Sequence, residues 1–498
     1  MNETGRTIAK NMGAMMGTQL VTWLLSFILS IFLPRYLGAS AVGEIAVAAS
    51  VWTIASVLIA FGMDTHLTKM IARDPAHMPD LLGTSLTIRT IFFLIACILV
   101  TGYLYLFNFN SKIVYIAIII GVSTIIGVYS ATLSSVFVGL ERMEFNSLSS
   151  IVSKTFLTVL TLLLIFMHAN IYAIVALSIV TGSVSLSILI YALKRQYALR
   201  MHVTFADAWA MLRMSTPYLI TSLVIAVYVQ IDQIFIATMV DTRTVGWYST
   251  ATNLFGTTMF LPVAIGTTLL PVLSRSYTTS QHQLQHIARR SFDLMFLISV
   301  PIGFGIIVIA NPLVIMLYGS EFAQSGPVLA VLGSVLIFMY LNTLLGQLLI
   351  STDRTSKWNL VMTGGVLLTL PLDLVLVPWT RDTYGNGALG GTIAFLFTEF
   401  WMVVGAILLL PKNTIQWSNV RTAALSLFAG LVMIATSWWW RETLMPLSIL
   451  VGAVTYIGLV FLLRIVSHED LLLLKELGSH LVRRFRRTPK VAPKPNPD

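Results

Sequence analysis

Three carboxylic acids stand within or close to long apolar stretches in the second half of the sequence. They are Asp232, Asp373 and Glu399, of which Glu399 lies deepest in its stretch. A charged side chain inside a membrane is energetically costly, and such residues commonly mark ion or proton pathways. The alternative for each is a structural ion pair, with Arg243 available near Asp232, or a side chain that extends to the membrane surface. The pattern therefore predicts ion-coupling carboxylates and leaves a structural role open.

A polar stripe runs along one face of the apolar segment 214–239. Its members fall within about 80° of arc on an α-helix; they are Tyr218, Thr221, Tyr228 and Asp232. The equivalent face of the first apolar segment, 202 positions earlier, carries Gln19, Ser26 and Ser30, and Trp23 continues it. The eighth segment adds Ser249, Asn253 and Thr257 at i, i+4 and i+8. Such groups either join helices by hydrogen bonds or line a wet cavity. Equivalent positions on two helices favour a shared cavity that binds substrate.

Two arginines at the ends of apolar segments could bind an anionic group. Arg89 lies just inside the third segment and Arg213 enters the seventh. A guanidinium pairs bidentately with phosphate oxygens, which suits a diphosphate. The alternative is anchoring at the cytoplasmic surface, because Lys and Arg concentrate on that side of membrane proteins. Anchoring is the preferred interpretation for four further cations, Arg142, Lys154, Arg275 and Arg354.

The apolar segments that position these residues define the fold class. Of 498 residues, 56% are hydrophobic and only 10% are charged, whereas a soluble domain carries about 25% charged residues. Runs of about 20 apolar residues recur throughout, which is the length that crosses a bilayer as a helix and is too long for a barrel strand. The sequence predicts an all-α polytopic membrane protein with about fourteen transmembrane helices. The predicted spans are 12–33, 41–62, 84–107, 113–138, 147–167, 170–193, 214–239, 247–273, 292–317, 328–350, 358–377, 388–410, 421–440 and 446–466.

The distribution of positive charge predicts the orientation. With the N-terminus inside, 26 of the 31 Lys and Arg residues lie at cytoplasmic loops or helix ends, as the positive-inside rule requires. We therefore expect a multi-pass protein of the cell (cytoplasmic or inner) membrane with both termini cytoplasmic. The segment from His468 to Arg487 mixes aliphatic and basic residues and is expected to lie on anionic membrane lipid as an amphipathic helix. Beyond it, 489–498 is expected to be disordered.

Two sequence echoes predict an internal repeat. Val42-Gly43 at the start of the second span recurs as Val245-Gly246 at the start of the eighth, 203 positions later. Glu141-Arg142 after the fourth span recurs as Asp353-Arg354 after the tenth. Parallel repeats place the substrate site of transporters at the repeat interface. The predicted organisation is a six-helix lobe at 1–193, a second at 194–410, two additional helices at 411–466 and a cytoplasmic tail at 467–498.

Several functional classes lack their motifs. The sequence contains no Walker phosphate loop, H-E-x-x-H or G-x-S-x-G motif, and all predicted external loops are short. The single cysteine, Cys97, and the isolated pair His282 and His286 give no metal site. The net charge of +10 is spread over loops, so nucleic acid is not an expected partner. We expect no enzyme activity, cofactor or metal; a secondary transporter, a channel or a scaffold remains.

A series of motifs resembles the polysaccharide transport family, the oligosaccharide flippases of the multidrug/oligosaccharidyl-lipid/polysaccharide exporter superfamily. The resemblance covers roughly residues 5–470. The N-terminal motifs are Arg35-Tyr36-Leu37-Gly38, Val42-Gly43 and Ala60-Phe61-Gly62-Met63-Asp64. Pro217, Ile231-Asp232-Gln233, Val245-Gly246-Trp247-Tyr248-Ser249, Leu261-Pro262, Leu270-Pro271-Val272-Leu273-Ser274, Tyr318-Gly319, Glu321-Phe322 and Gly387-Ala388-Leu389-Gly390-Gly391 follow in order.

The resemblance implies two six-helix lobes around a central cavity, with two peripheral helices. It also implies the transfer of a polyprenyl-diphosphate-linked oligosaccharide to the outer leaflet by alternating access, driven by H+, Na+ or the membrane potential. Polysaccharide polymerase and chain-length proteins would be partners. Asp232 matches a position at which the family often carries Asp. Unlike the related lipid II flippases, this sequence has no arginine buried in its first two spans, which argues against a lipid II substrate. A multidrug or toxin exporter of the same superfamily and a non-transporting scaffold are the alternatives.

Overall fold

The computed structural model describes residues 3–197, 202–411 and 414–465, with side chains from Gly17 onward. This part of the chain is helical and contains no strand. Fourteen helical segments are long and apolar enough to cross a membrane, which confirms the predicted fold class and the number of spans. The amphipathic and disordered segments expected within 467–498 lie outside the described residues.

The described residues form sixteen α-helices, because two of the spans are broken in the middle. Their bounds are α1 Glu3–Leu37, α2 Ala39–Ala60, α3 Met63–Arg73, α4 Met78–Leu106, α5 Ser111–Gly139, α6 Met143–Phe166, α7 Ile171–Gln196, α8 Phe205–Met239, α9 Thr242–Gly256, α10 Phe260–Thr279, α11 Gln281–Tyr318, α12 Ser325–Ser351, α13 Thr355–Tyr384, α14 Gly387–Leu409, α15 Trp417–Ser437 and α16 Met445–Leu462. The second span comprises α2 and α3, and the eighth comprises α9 and α10.

Several helices extend beyond the predicted spans. The segments 63–83 and 274–291, which lie between predicted spans, are mostly helical, and His282 and His286 lie in the first turns of α11. Hydropathy identifies only the apolar part of a helix, whereas the backbone hydrogen bonds continue into its polar ends. At the break between α2 and α3, Phe61 and Gly62 have φ angles of 49° and 68°. Gly62 there packs directly against the backbone of Leu219 and the Cβ of Tyr218, so a larger residue would clash.

The contacts between helices repeat from one half of the chain to the other. In the first half, α1 packs on α6, α5 on α7 and α2 on α5; in the second half, α8 packs on α13, α12 on α14 and α9 on α12. The turns also repeat. Glu141 and Asp353 have φ angles of 57° and 58°, and the amide of the following arginine bonds a carbonyl five residues back at 2.8 Å in both turns. The pseudo-repeat predicted from two short echoes is thus present in both backbone and packing.

Short turns between spans make successive spans alternate in direction. The near end of the bundle is defined here as the one at which α1 begins and α16 ends; the far end carries Gly38 and Asp241. The lobes contact mainly through α2 with α8 and α9, and through α3 with α8, while α15 and α16 pack together on α11. The proposed lobe boundary at 193/194 falls within the last turn of α7, which ends at Gln196.

Candidate functional site

A polar cavity of about 570 Å³ lies where the two lobes meet. Its walls come mainly from the far halves of α1 and α2 in the first lobe and from α8 and α9 in the second, and α6 contributes one residue. The cavity brings together six of the predicted residues: Trp23, Ser26, Ser30, Ser249, Asn253 and Thr257. The stripe on α1 and the stripe on α9 therefore face the same space, although they are more than 200 positions apart in the sequence.

The polar stripe on α8 does not face this cavity. Thr221 accepts a hydrogen bond from Asn359 of α13 at 3.0 Å, and the Tyr228 ring packs on Phe395 of α14. Tyr218 lies against Gly62. Polar groups in a membrane can be satisfied by neighbouring helices as well as by water. Thr221 and Tyr228 contact the second lobe, whereas Tyr218 contacts the first lobe at Gly62. The prediction that this stripe lines the cavity is wrong.

The cavity wall on α8 consists of Gln230 and Gln233, which the sequence reasoning missed. Gln230 lies about 200° of arc from Tyr228 on an α-helix. The amide of Gln233 donates to the carbonyl of Ala46 on α2 at 2.6 Å and so joins the two lobes. Gln19 is exposed and does not line the cavity, because it lies more than one helical turn closer to the near end than Trp23, Ser26 and Ser30.

Among the described residues, Lys154 of α6 is the one cation that lines the cavity. Its position at the eleventh residue after the start of α6 places it about 16 Å along the helix at 1.5 Å per residue. An anchor at the membrane surface would lie near the end of the helix. The structure therefore contradicts the anchoring interpretation of this residue, which only the packing of α1 against α6 places beside the cavity.

A second hollow of about 530 Å³ continues from the first toward the near end. The two share Ala49 and Thr53, and the second contains Arg89 and Asp64. The Arg89 side chain is completely buried and paired with Asp64 at 2.9 Å. It also donates to the Ser85 hydroxyl at 3.1 Å and to the Val128 carbonyl at 3.3 Å.

Arg89 was predicted as a candidate to bind an anionic group. These bonds show that its guanidinium is already paired within the protein. Its charge is balanced by Asp64, so the pair adds no net charge to the hollow. The predicted partner, Arg213, is exposed on α8 and lines neither hollow. A sequence motif could not have found the Arg89–Asp64 pair, because Asp64 lies on α3 and Arg89 on α4, with the turn between these helices separating them.

Two buried carboxylates meet inside the second lobe. Asp232 of α8 accepts a hydrogen bond from the Tyr248 hydroxyl of α9 at 2.9 Å, and Asp373 of α13 interacts directly with Asp232. Asp232 is 3% exposed and Asp373 is fully buried. Arg243 stacks instead on the Trp247 ring, 5.5 Å from its centre. Asp232 therefore does not form the ion pair with Arg243 that the sequence left open.

Glu399 has a different partner from the aspartate pair. Its carboxylate accepts a hydrogen bond of 2.6 Å from the Asn342 amide of α12, and the same amide bonds its backbone carbonyl. One carboxylate oxygen of Glu399 and both of Asp373 are buried and receive no hydrogen bond among the described residues. Unsatisfied carboxylate oxygens in an apolar interior are costly unless a proton or a cation joins them.

The repeated glycines close the far end of the cavity. A Cβ on Gly43 would lie 1.6 Å from the Thr242 carbonyl, and one on Gly246 would lie 1.9 Å from the Ala39 carbonyl. The contacts are reciprocal: each lobe's glycine touches the start of the other lobe's equivalent helix. Glu321 strengthens the same end, since its carboxylate accepts from the Ala39 amide at 2.9 Å.

A bundle of fourteen membrane-spanning helices, with a polar cavity between two repeated lobes, has the architecture of a membrane transporter. The model of the family described as polysaccharide biosynthesis protein matches residues 8–277. Since this match covers more than half of the sequence, the chain belongs to that family, which confirms the resemblance identified from its motifs. The MatE family model also matches residues 217–375.

Individual proteins share the sequence or the fold over different lengths. The probable low-salt glycan biosynthesis flippase Agl15 of Haloferax volcanii is 25% identical over 211 residues; the match spans 42% of this chain and 43% of that protein. The lipid II flippase MurJ in an inward closed conformation superposes with a TM-score of 0.70 at 12% identity, over 93% of this chain and all of that one. An inward-facing multidrug resistance MATE transporter gives 0.64 at 13% identity, over 81% and 95%. At these identities the two structures support the fold alone.

Proposed function

We propose that this protein is a flippase that moves a polyprenyl-diphosphate-linked oligosaccharide across the cytoplasmic membrane for cell-surface polysaccharide synthesis. The observation that carries the proposal is the polar cavity between the lobes, which is lined mainly by amides, hydroxyls and small apolar side chains. Amides and hydroxyls are suited to the hydroxyl-rich surface of a sugar. The family membership and the match to a glycan flippase over part of the chain support the same class of substrate.

The cavity would be exposed to each side of the membrane in turn. The glycine contacts close its far end, and the second hollow extends it toward the near end. We infer that the near end is cytoplasmic, as the distribution of Lys and Arg predicts. Substrate would enter from the inner leaflet, and separation of α2 from α9 would release it outside.

The aspartate pair is the proposed coupling site. Two carboxyl groups in direct contact cannot both remain ionised in an apolar interior unless a cation lies between them, so they would share a proton or bind Na+. Asp232 is on α8, next to the lobe interface, and its partner Tyr248 is on α9, which forms the far-end contact. Protonation or ion release would thus act on the two helices that open the cavity. Glu399, held by Asn342, is a second candidate for the same role.

Export of surface glycan by cells that lack the gene tests the proposal. Deletion should abolish the surface glycan and leave lipid-linked oligosaccharide on the inner leaflet, and the wild-type gene should restore export. Asp232→Asn should restore little, whereas Asp382→Asn, a matched change at an exposed acid, should restore it fully. A surface glycan and a lipid-linked precursor that are both unchanged by deletion, with no paralogue present, would refute the flippase function.

A multidrug or toxin cation exporter is the second candidate. The MatE match and the three carboxylates in the second lobe favour it. However, the described residues that line the central cavity include a lysine and no carboxylate. Of the described residues, the one acid that lines the second hollow is Asp64, which is paired with Arg89. A cavity of this charge disfavours a cationic drug. Polysaccharide polymerase and chain-length proteins are proposed as partners in the membrane, and no nucleic-acid partner or enzyme activity is proposed.

A further inference from the structure

Lys154 is a costly residue at its position. It lies near the middle of a 24-residue membrane-spanning helix, where the insertion of a lysine is energetically unfavourable. Ionisable residues at such depth face protein or water rather than lipid and mark binding sites or ion pathways. Lys154 faces the cavity between the lobes. The unfavourable free energy of placing a lysine there indicates that it binds a ligand.

The Lys154 ammonium has no counter-ion among the described residues. No carboxylate lies within ion-pair distance, and the other residues that line the cavity are uncharged. The two serines of α1 that line the cavity already donate to their own helix: Ser26 to Thr22 and Ser30 to Phe27, each at 2.8 Å. Their lone pairs can accept a hydrogen bond from an ammonium but cannot neutralise it. The cavity therefore carries one uncompensated positive charge and should attract an anion.

The neighbourhood of Lys154 identifies the anion as the phosphate of an amphiphile. Lys154 is on α6, which packs against α1. The opposite side of α1 is apolar and exposed, with Leu24 at 64% and Phe32 at 50%, as expected for a helix that faces lipid. A phosphate bound at Lys154 would thus lie one helix away from the bilayer, with amides and hydroxyls on the other side for the sugar. A lysine binds phosphate as a compact point charge.

We propose that Lys154 binds the diphosphate of the lipid-linked substrate and is the residue that makes the cavity selective for a phosphorylated lipid. This role rests on the proposed flippase function. It replaces the earlier candidates Arg89, whose charge is balanced by Asp64, and Arg213, which lines neither hollow. The sugar would extend toward Gln230 and Asn253 on the opposite wall.

Binding to the full-length protein in lipid nanodiscs tests the role of the charge. The probes are a polyprenyl diphosphate, the neutral polyprenol of the same length and inorganic diphosphate as competitor. Lys154→Gln should bind the polyprenyl diphosphate about 10- to 100-fold more weakly, because a hydrogen bond to a charged group is lost. Binding of the polyprenol should not change, and Lys154→Arg should retain most of the diphosphate affinity. Lys112→Gln, which removes an exposed lysine, is the matched control.

Restoring the charge chemically separates its effect from any effect on folding. Cys97 is the only cysteine, so Lys154→Cys can be made in a Cys97→Ala background. Treatment with an aminoethyl thiosulfonate rebuilds a side chain that ends in an ammonium and should recover diphosphate binding. A methyl thiosulfonate, which adds no charge, should not. Equal recovery with both reagents would overturn the proposal.

The outcomes separate this role from the flippase function itself. If Lys154→Gln binds the polyprenyl diphosphate like wild type and restores glycan export to the deletion strain, the role of Lys154 is wrong and the flippase function stands. If wild type binds inorganic diphosphate but not the lipid, the cavity takes a free anion and the proposal fails. If deletion leaves glycan export unchanged, the flippase function fails whatever the binding result.

Discussion

Replacement of Gly43 by alanine should force the far end of the cavity open. The new Cβ would lie 1.6 Å from the Thr242 carbonyl, whereas real Cβ atoms essentially never approach closer than 3.0 Å. The helices α2 and α9 must therefore separate by about 1.4 Å at this point. The obstructing atom is backbone, so no side-chain rotation relieves the clash. Overpacking of this kind costs about 1–3 kcal/mol, which shifts the equilibrium about 5- to 150-fold toward a state with the far end open.

The distance between spin labels at Ser40 and Arg243 measures this opening. Both positions are exposed at the far end, one on α2 and one on α9, and the labels are attached in a Cys97→Ala background with cysteines at the two positions. Gly43→Ala should broaden the distribution toward longer distances and reduce glycan export. Gly458→Ala, a helical glycine with nothing within 4 Å, is the control for the loss of glycine itself. A distance distribution in Gly43→Ala that matches the control would refute the reasoning.

Three further outcomes follow from the buried polar pairs. Asp64→Ala should lower the thermal stability of the purified protein more than Arg89→Met, because it leaves a fully buried cation unpaired. Loss of one partner of a buried ion pair costs about 3–5 kcal/mol. The partial exposure of Asp64 makes the cost smaller here. An equal loss in both variants would contradict the proposed asymmetry. Asp232→Asn and Asp373→Asn should each weaken ion-driven transport in proteoliposomes, and the double variant should be no worse than the more severe single one, since the pair acts as one site; additive losses would indicate two independent sites. Gln233→Leu should increase the far-end distance by less than Gly43→Ala does, because it removes one hydrogen bond between the lobes, worth about 1 kcal/mol; no change in the same spin-label measurement would exclude this role.

The number of spans and the repeat could be predicted from the sequence for a physical reason. A helix that crosses lipid needs about 20 apolar residues whatever it packs against, so composition alone identifies it. The turns at Glu141 and Asp353 share a left-handed residue followed by arginine, so the local sequence retains the repeat. Extensions such as α3 were missed, because its polar and charged residues give it no hydropathy signal.

The sequence by itself determined which residues are polar within the membrane, and the tertiary structure decided what each of them faces. Periodicity placed Tyr228 and Asp232 on one side of α8. Only the packing of the helices shows that this side contacts α13 and α14, whereas Gln233 lines the cavity. Lys154 and Arg89 look alike in sequence, each lying eleven residues after the start of its helix. Asp64 neutralises Arg89, whereas no acid among the described residues pairs with Lys154. A polar group in a membrane must be satisfied, but its partner comes from a distant part of the chain, and local sequence does not specify that partner.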